Sequence, residues 1–279
     1  MSNLNIPHTY IAHTAHSSVR QSRGVKTYAR VDCRYAVFAA ELYPSHSTAD
    51  RCSVYHFFYG ARWRFFWELC RQPAHTRCLY EVIPDGSLHN FYIDIDMDKP
   101  NRIFGGNDSP SGWPAMWLDM CKIVIPMVDK VVKRILAECL VVDVAELATY
   151  CSVGVLPLTC SANGVYANLP NKWSVHMVWK HGNRYLNDIA ETRSIFDRVS
   201  SSLQRPLRDV LPAHFNPRLH DADASEMLIS CILDGRVYTR NRMFRTVGCV
   251  KLGKEQRVLV PCQLTPTFKL HSGGIDIHV

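Results

Sequence analysis

The segment with the clearest chemical potential is residues 90–100, NFYIDIDMDKP, in which apolar residues alternate with Asp94, Asp96 and Asp98. Residues i and i+2 of a strand share a face, roughly 6.5–7 Å apart, so the pattern predicts a strand with one buried face and one carboxylate face. Carboxylates at this spacing repel one another unless a cation neutralises them. Asp94 and Asp96 are therefore candidates to hold a pair of divalent metal ions, as in phosphoryl transfer.

Two other interpretations of these aspartates are an EF-hand loop and an ordinary solvated strand face. An EF-hand loop that starts at Asp94 needs glycine at its sixth position and glutamate at its twelfth. Lys99 and Gly105 occupy those positions, which excludes that loop. A solvated strand face stays open as an alternative, although three like charges along one strand are unfavourable.

A second group of polar residues lies at the start of the predicted strand 173–179. Lys172, Ser174 and His176 offer a cation, a hydroxyl and an imidazole, which suit the oxygens of a triphosphate. A Ser–His nucleophile pair is a competing interpretation, but no GxSxG motif or third triad member accompanies it. A histidine that makes a routine hydrogen bond is the structural alternative.

A third group lies in residues 232–254, ILDGRVYTRNRMFRTVGCVKLGK. Asp234 follows the predicted apolar strand 227–233 and can supply a third carboxylate. The alternative is that its Asp-Gly pair only forms a hairpin turn. In a strand over 237–245, Arg245 would share a face with Val237, and Arg242 would share the other with Arg240. An arginine on the core side needs an anionic partner, and basic residues among aromatics fit phosphate and base contacts. A solvated charge run is the alternative.

The bulk composition is ordinary for a globular protein, and its modest positive charge is compatible with an anionic partner. The chain has 279 residues, a formal net charge of +7 and eleven cysteines without a CxxC pair. We therefore expect free thiols in a reducing compartment and no zinc site. No apolar run approaches the roughly 20 residues of a membrane helix, so we expect no membrane association.

Strands and helices alternate without a regular βαβ rhythm, which indicates an α+β fold. Other predicted strands cover 37–42, 53–59, 79–83, 150–156, 237–247 and 257–260, and predicted helices cover 60–71, about 113–139 and 187–204. Pro206 is expected to end the last helix, and residues 101–112 and 205–224 are expected to be loops. Residues 1–31 contain no acidic residue, which is typical of a mitochondrial presequence or of a basic tail.

The order of the three groups resembles the motifs of the archaeo-eukaryotic primase superfamily: DxD on a strand, then SxH, then an aspartate after an apolar strand. The segments LYEVIPDGSLHNFYIDIDMDKP (79–100) and LDGRVYTRNRMFRTVGCVKLGK (233–254) are similar to signature segments of its PrimPol family. The similarity runs from about Ala36 to Val260 and is weaker over 101–150 and 183–224.

The resemblance implies a role for each site residue. Asp94, Asp96 and Asp234 would bind two Mg²⁺ or Mn²⁺ ions and be catalytic, and Asp98 lies beyond the motif. Several family members have glutamate where this chain has Asp96. The residues that would bind the incoming nucleotide are Lys172, Ser174, His176, Arg242, Arg245, Lys251 and, beneath its sugar, Tyr80.

The resemblance also implies the architecture and the partners. The fold would be a two-module primase core, with a basic tail over 1–31, a small N-terminal αβ module over 32–89 and an RRM-like catalytic module over 90–279 whose sheet is flanked by helices. The partners would be nucleoside triphosphates and template DNA with a primer, inside the cell, in the nucleus or the mitochondrion.

Primer extension is the expected activity, and primer initiation is in doubt because the sequence has no Cys/His spacing of the zinc module that accompanies initiation in the family. A catalytically silent module that binds single-stranded nucleic acid and a metal-dependent nuclease are the alternatives.

Overall fold

The computed structural model describes the chain in segments separated by gaps. They are 13–15, 35–42, 54–61, 77–83, 86–98, 113–155, 172–182, 184–210, 232–250, 258–263 and 269–270. Residues 62–71 of the predicted helix 60–71, residues 227–231 of the predicted strand 227–233, and the expected loop residues 101–112 and 211–224 lie outside them. The helix prediction is wrong for residues 60–61, which end a strand.

Ten strands and two α-helices make up the described regular structure. The strands are β1 His13–Ala15, β2 Tyr35–Leu42, β3 Val54–Ala61, β4 Leu79–Ile83, β5 Phe91–Asp98, β6 Ala148–Val155, β7 Lys172–Lys180, β8 Arg242–Arg245, β9 Val258–Gln263 and β10 Lys269–Leu270. The helices are α1 Trp113–Leu140 and α2 Ile189–Val210, with short 3-10 helices at Val144–Glu146 and Gly235–Val237.

The strands form two five-stranded sheets, and every strand pair with a defined register is antiparallel. The first sheet has the order β1-β3-β2-β4-β8, and the second has the order β10-β9-β6-β7-β5. The predicted strands at 37–42, 53–59, 150–156 and 173–179 are confirmed, and they pair as β2 with β3 and β6 with β7. The chain is a mixed α+β protein, as its sequence pattern indicates.

The chain divides into two compact units. The first contains residues 1–89, 187–189 and 239–259, and the second contains 90–186, 190–238 and 260–279. Residues 239–259 lie within the expected catalytic module 90–279, but they belong to the first unit because β8 pairs with β4 there. Within the expected basic tail, His13–Ala15 forms β1 and pairs with β3.

Helix α1 packs on one face of the second sheet. Its buried residues among the described side chains are apolar and recur at helical spacing: Val124, Ile125, Val128, Val131, Val132, Ile135 and Leu136. Asp129 accepts hydrogen bonds from Thr149 Oγ1 at 2.5 Å and from Trp179 Nε1 at 2.8 Å. Thr149 and Trp179 are opposite each other in the β6–β7 register, on the face that does not carry Asp94 and Asp96. The helix therefore covers the apolar face and leaves the carboxylate face to other parts of the chain.

Helix α2 continues past the proline that was expected to end it. Pro206 lies inside the helix, which runs to Val210, so the prediction of a loop from residue 205 is wrong for 205–210. A proline in a helix removes one hydrogen bond. Leu203 and Leu207, four residues apart on one face, are both buried, and their packing offsets that loss.

The predicted strand over 237–247 is reduced to the four residues of β8. Residues 235–237 form a 3-10 helix, and Asn241 has a φ of 54°, a left-handed conformation that asparagine tolerates and that a strand cannot contain. Val237 and Arg240 therefore do not share strand faces with Arg245 and Arg242, contrary to the expectation. The alternation holds only within β8.

Among the described residues, no helix is both long enough and apolar enough to span a membrane.

Candidate metal centre

The first two candidate metal ligands lie on β5, paired with the predicted Ser/His strand. In the β5–β7 register Asp94 is opposite His176, and Asp96 is opposite Ser174. On the other face of the same strands, Ile93, Ile95 and the β7 residue Val175 are fully buried. The apolar alternation therefore fixes the register, because a slip by one residue would bury the carboxylates and expose the core side chains.

The third carboxylate reaches β5 from a distant part of the sequence. Leu233 forms an antiparallel bridge with Ile95, and the backbone N–H of Asp234 donates to the carbonyl oxygen of Asp94 at 3.0 Å. Chain 233–234 thus adds a short extra pairing at the free edge of β5. The bridge and the hydrogen bond place Asp234 beside the other two aspartates. The prediction of a strand over 227–233 is wrong for its described residues, because Ile232 is helical and Leu233 forms only this bridge.

Asp94, Asp96 and Asp234 converge into one cluster. Each offers one carboxylate oxygen, and these three oxygens lie within 4.8 Å of one another. Asp94 is only 9% exposed, and the side chain of Asp234 is 14% exposed, so water screens their repulsion poorly. Oxygen-only ligands from carboxylates suit Mg²⁺ or Mn²⁺, which keep further positions for water and substrate phosphates. The donor set therefore fits a divalent ion of the kind that the resemblance implies.

Two cationic or titratable side chains border the cluster. His176 is buried, and its Nε2 lies 3.5 Å from Asp94 Oδ1, so a protonated imidazole would compensate part of the negative charge. Arg236 donates from its backbone N and from Nε to Asp234 Oδ1, both at 3.0 Å. Its side chain is 92% exposed, so this ion pair contributes little stability and can rearrange when a cation binds.

The turn that carries Asp234 depends on a close approach to α2. Asp234 is the N-cap of the 3-10 helix Gly235–Val237, where its carboxylate accepts from the Arg236 N–H. A Cβ atom at Gly235 would lie 2.9 Å from Cε1 of Phe196. Arg193 Nη1 donates to the Gly235 carbonyl oxygen at 2.7 Å and so ties the turn to α2. The sequence left open whether Asp234 supplies a carboxylate or only forms a turn with Gly235. In the structure it does both, because Asp234 caps the turn and also lies in the carboxylate cluster.

Two tyrosines fasten the same turn to β5. The Tyr238 hydroxyl donates to the Tyr92 carbonyl oxygen at 2.5 Å, and the Tyr92 hydroxyl donates to the Val237 carbonyl oxygen at 3.3 Å. Their rings lie 5.3 Å apart between centroids, and Phe196 packs against Tyr238 at 4.8 Å. Burial, with the nearby Tyr92 and Asp94, raises the pKa of Tyr238 well above its usual 10.0, so the hydroxyl remains a donor.

Three predicted nucleotide-binding residues lie in the first unit, on β4 and β8. Tyr80 is directly opposite Arg245 in the β4–β8 register, so these two share a face. Arg242 is opposite Ile83 and three residues from Arg245, which places it on the other face. Arg242 Nε is buried and makes no hydrogen bond to the described residues, so an anion on that face would stabilise it. The structure brings Tyr80 and Arg245 together but not Arg242 with them.

The remaining predicted site residues are placed less fully. Lys172 begins β7, opposite Asp98 in the register, and nothing is described of either side chain. Lys251 lies outside the described residues. Ser174 is half-buried on the carboxylate face of β7.

The structure adds Ser152 to the carboxylate face. Ser152 is buried and opposite His176, so one row across three strands reads Asp94, His176, Ser152. The alternation in ATYCSVGV (148–155) was the available signal, but it required the β6–β7 register. The position of Tyr92 could be predicted in the same way, because it is two residues from Asp94 on β5 and therefore shares its face.

A scan against protein-family models finds no family that matches the chain, and a search of curated proteins finds no significant match.

Proposed function

We propose that the chain is a metal-dependent nucleotidyltransferase that extends a primer along a DNA template. The observation that carries the proposal is the cluster of Asp94, Asp96 and Asp234, whose carboxylate oxygens lie within 4.8 Å of one another. The ordering of the three motifs along the chain, which resembles the PrimPol family, supplies the reaction class. The finer fold in this proposal is the two-module primase core.

The three aspartates would hold two Mg²⁺ or Mn²⁺ ions. When bound, such ions stabilise the attacking and leaving oxygens of an in-line displacement at phosphorus. The protein would contribute fixed positions for the ligands. One edge of β5 pairs with β7, and the other edge pairs with Leu233 and Asp234. Rigid strand positions suit a reaction whose catalysis depends on alignment of the reacting groups.

Cationic and hydroxyl side chains would bind the triphosphate of the incoming nucleotide. Ser174 and His176 lie opposite Asp96 and Asp94, so a phosphate near the ions would meet a hydroxyl and an imidazole from the neighbouring strand. The resemblance also assigns a nucleotide-binding role to Arg245 and Tyr80, which share a face of the first sheet: the guanidinium would bind phosphate, and the tyrosine would contact the sugar.

A primer-extension assay tests the proposal and its alternatives together. An end-labelled primer annealed to a longer template is incubated with all four nucleotides and either Mg²⁺ or Mn²⁺. Lengthening of the primer supports nucleotidyl transfer, and shortening supports a metal-dependent nuclease. Retardation on a native gel without any change in length supports a silent nucleic-acid-binding module. Either of the last two results overturns the proposal.

A matched control variant distinguishes activity of this protein from activity of a contaminating polymerase. Asp209 is an exposed carboxylate on α2, outside the cluster. Asp209→Asn, purified in the same way as Asp96→Asn, should keep full extension, whereas Asp96→Asn should have none. Equal activity of the two variants would show that the aspartate cluster is not the source.

A further inference from the structure

The carboxylate face of the second sheet continues away from the metal cluster onto an exposed aromatic residue. Tyr150 of β6 is 59% exposed, a large value for a tyrosine inside a sheet. It is two residues from Ser152, so it shares the face of the row Asp94, His176, Ser152. Two strand spacings and one two-residue step separate Tyr150 from Asp94, about 12 Å in the plane of the sheet.

A cation lies next to this tyrosine on the same face. Tyr150 is opposite Val178, so its diagonal neighbours on β7 are His176 and Lys180. Diagonal neighbours in an antiparallel sheet are within reach of long side chains. Lys180 is exposed, and it pairs with Ala148, whose small side chain leaves the surface open around it. Tyr150 and Lys180 together form what we term the β6–β7 patch.

We propose that the β6–β7 patch binds single-stranded DNA, with a base stacked on Tyr150 and a backbone phosphate paired with Lys180. An exposed aromatic ring next to a cation is the combination that single-strand-binding surfaces use, because every base has a face that can stack and every linkage carries a negative charge. The patch is continuous with the row that ends at Asp94. Under the proposed function, on which this inference rests, the bound strand is the nucleic acid one or more nucleotides away from the reacting end.

The alternative occupants of such a surface predict different chemistry. Duplex DNA has its bases already stacked, so it would use Lys180 and gain nothing from the Tyr150 ring. A second copy of the chain would bury the ring without any dependence on DNA. The exposed ring beside a cation, on the face that also carries the aspartates, favours the single strand.

The test is binding of a labelled oligodeoxythymidine measured by fluorescence anisotropy in chelator, so that no catalysis and no metal contributes. Tyr150→Ala should weaken binding about tenfold, and Tyr150→Phe, which keeps the ring, should bind like wild type. Lys180→Gln should lower the slope of log affinity against log salt by about one, whereas Lys130→Gln, a change to an exposed lysine on α1, should leave the slope unchanged. Because Tyr150 and both lysines are exposed, these variants should keep the thermal midpoint of wild type.

The outcomes separate this inference from the proposed function. Weaker binding by Tyr150→Ala supports the patch whether or not the protein extends primers, and loss of extension in Asp96→Asn with unchanged binding supports the metal centre alone. Equal affinity of wild type and Tyr150→Ala for the oligonucleotide overturns the patch. An equal loss of affinity for duplex DNA in Tyr150→Ala, or a change of sedimentation coefficient without a change in binding, also overturns it.

Discussion

The backbone N–H of Asp234 donates to the carbonyl oxygen of Asp94 at 3.0 Å. This hydrogen bond joins two of the three clustered carboxylates through the main chain, so the geometry of the cluster does not depend on side-chain contacts alone. A main-chain link of this kind allows the side chains to be neutralised one at a time without removing the pairing that holds them. The variants below exploit that property.

The first prediction concerns metal binding and stability. In wild type, Mn²⁺ at about one hundred times its dissociation constant should raise the free energy of unfolding by about 2.7 kcal/mol, because the ion binds only the folded cluster. Asp94→Asn, Asp96→Asn and Asp234→Asn should each lose this stabilisation. Without metal, each variant should be as stable as wild type or more so, because one like charge is removed from the cluster. Thermal denaturation with and without Mn²⁺ measures both effects.

The control for this prediction is Asp209→Asn, which should respond to Mn²⁺ like wild type because Asp209 lies outside the cluster. Retention of the Mn²⁺ response in all three cluster variants would contradict the metal assignment.

The second prediction concerns the tyrosine pair that fastens the Asp234 turn. Tyr238→Phe removes the hydroxyl that donates to the Tyr92 carbonyl oxygen, and it should lower the free energy of unfolding by about 1–2 kcal/mol. Urea denaturation at neutral pH measures this change. The raised pKa of Tyr238 means that its contribution is complete below pH 10 and is lost at higher pH, so the gap between wild type and variant should narrow in that range. Tyr150→Phe, at an exposed position, should be neutral.

A difference between wild type and Tyr238→Phe no larger than that of Tyr150→Phe would show that the Tyr238 hydroxyl does not fasten the turn.

The third prediction concerns alkaline stability of the first unit. Burial raises the pKa of the Cys249 thiol from 9.0 to about 11, so the folded state keeps a proton that the unfolded chain releases. The thiol's contribution is therefore full below pH 9 and is lost progressively between pH 9 and 11. The loss should amount to roughly 2–3 kcal/mol in the free energy of unfolding. Denaturant titrations at several pH values measure the slope.

Cys249→Ala supplies the comparison for this slope. The variant should be less stable at neutral pH and show a flatter profile from pH 9 to 10, below the range in which Tyr238 contributes. Parallel profiles of wild type and variant over that interval would refute the role of Cys249.

The fourth prediction concerns the triphosphate and the face of β8 that binds it. Arg245 shares a face with Tyr80, and Arg242 lies on the opposite face. Loss of a charge-assisted contact to phosphate should raise the KM for nucleotide about tenfold in Arg245→Ala, and Arg242→Ala should change it less. Steady-state kinetics at fixed primer–template concentration measure both values. A larger increase in Arg242→Ala would place the triphosphate on the other face, where the buried Arg242 Nε would receive it.

The parts of the fold that the sequence predicted are those with a strict period. Alternation over 91–98 and 173–179 predicted β5 and β7, because only one register places Ile93 and Val175 on the apolar face and the aspartates on the other. The helical pattern over about 113–139 likewise predicted α1, which runs from Trp113 to Leu140.

The parts that the sequence did not predict depend on contacts between distant residues. The predicted end of α2 before Pro206 was wrong, because burial of Leu207 outweighs the hydrogen bond lost at Pro206. The predicted strand over 237–247 was too long, because Asp234 caps a 3-10 helix over residues 235–237 and Asn241 has a positive φ. The position of Asp234 after an apolar segment made it a candidate ligand. Its closeness to Asp94 follows from the pairing of residues 233–234 with β5, which no local sequence pattern predicts.

The most direct test of the central claim is incorporation of a single nucleotide opposite each of the four template bases. With Mn²⁺, wild type should add mainly the complementary nucleotide to the primer end, and Asp96→Asn should add none, although its thermal midpoint without metal is no lower than that of wild type. Addition that ignores the template base, or undiminished addition by Asp96→Asn, would contradict template-directed nucleotidyl transfer at the cluster of Asp94, Asp96 and Asp234.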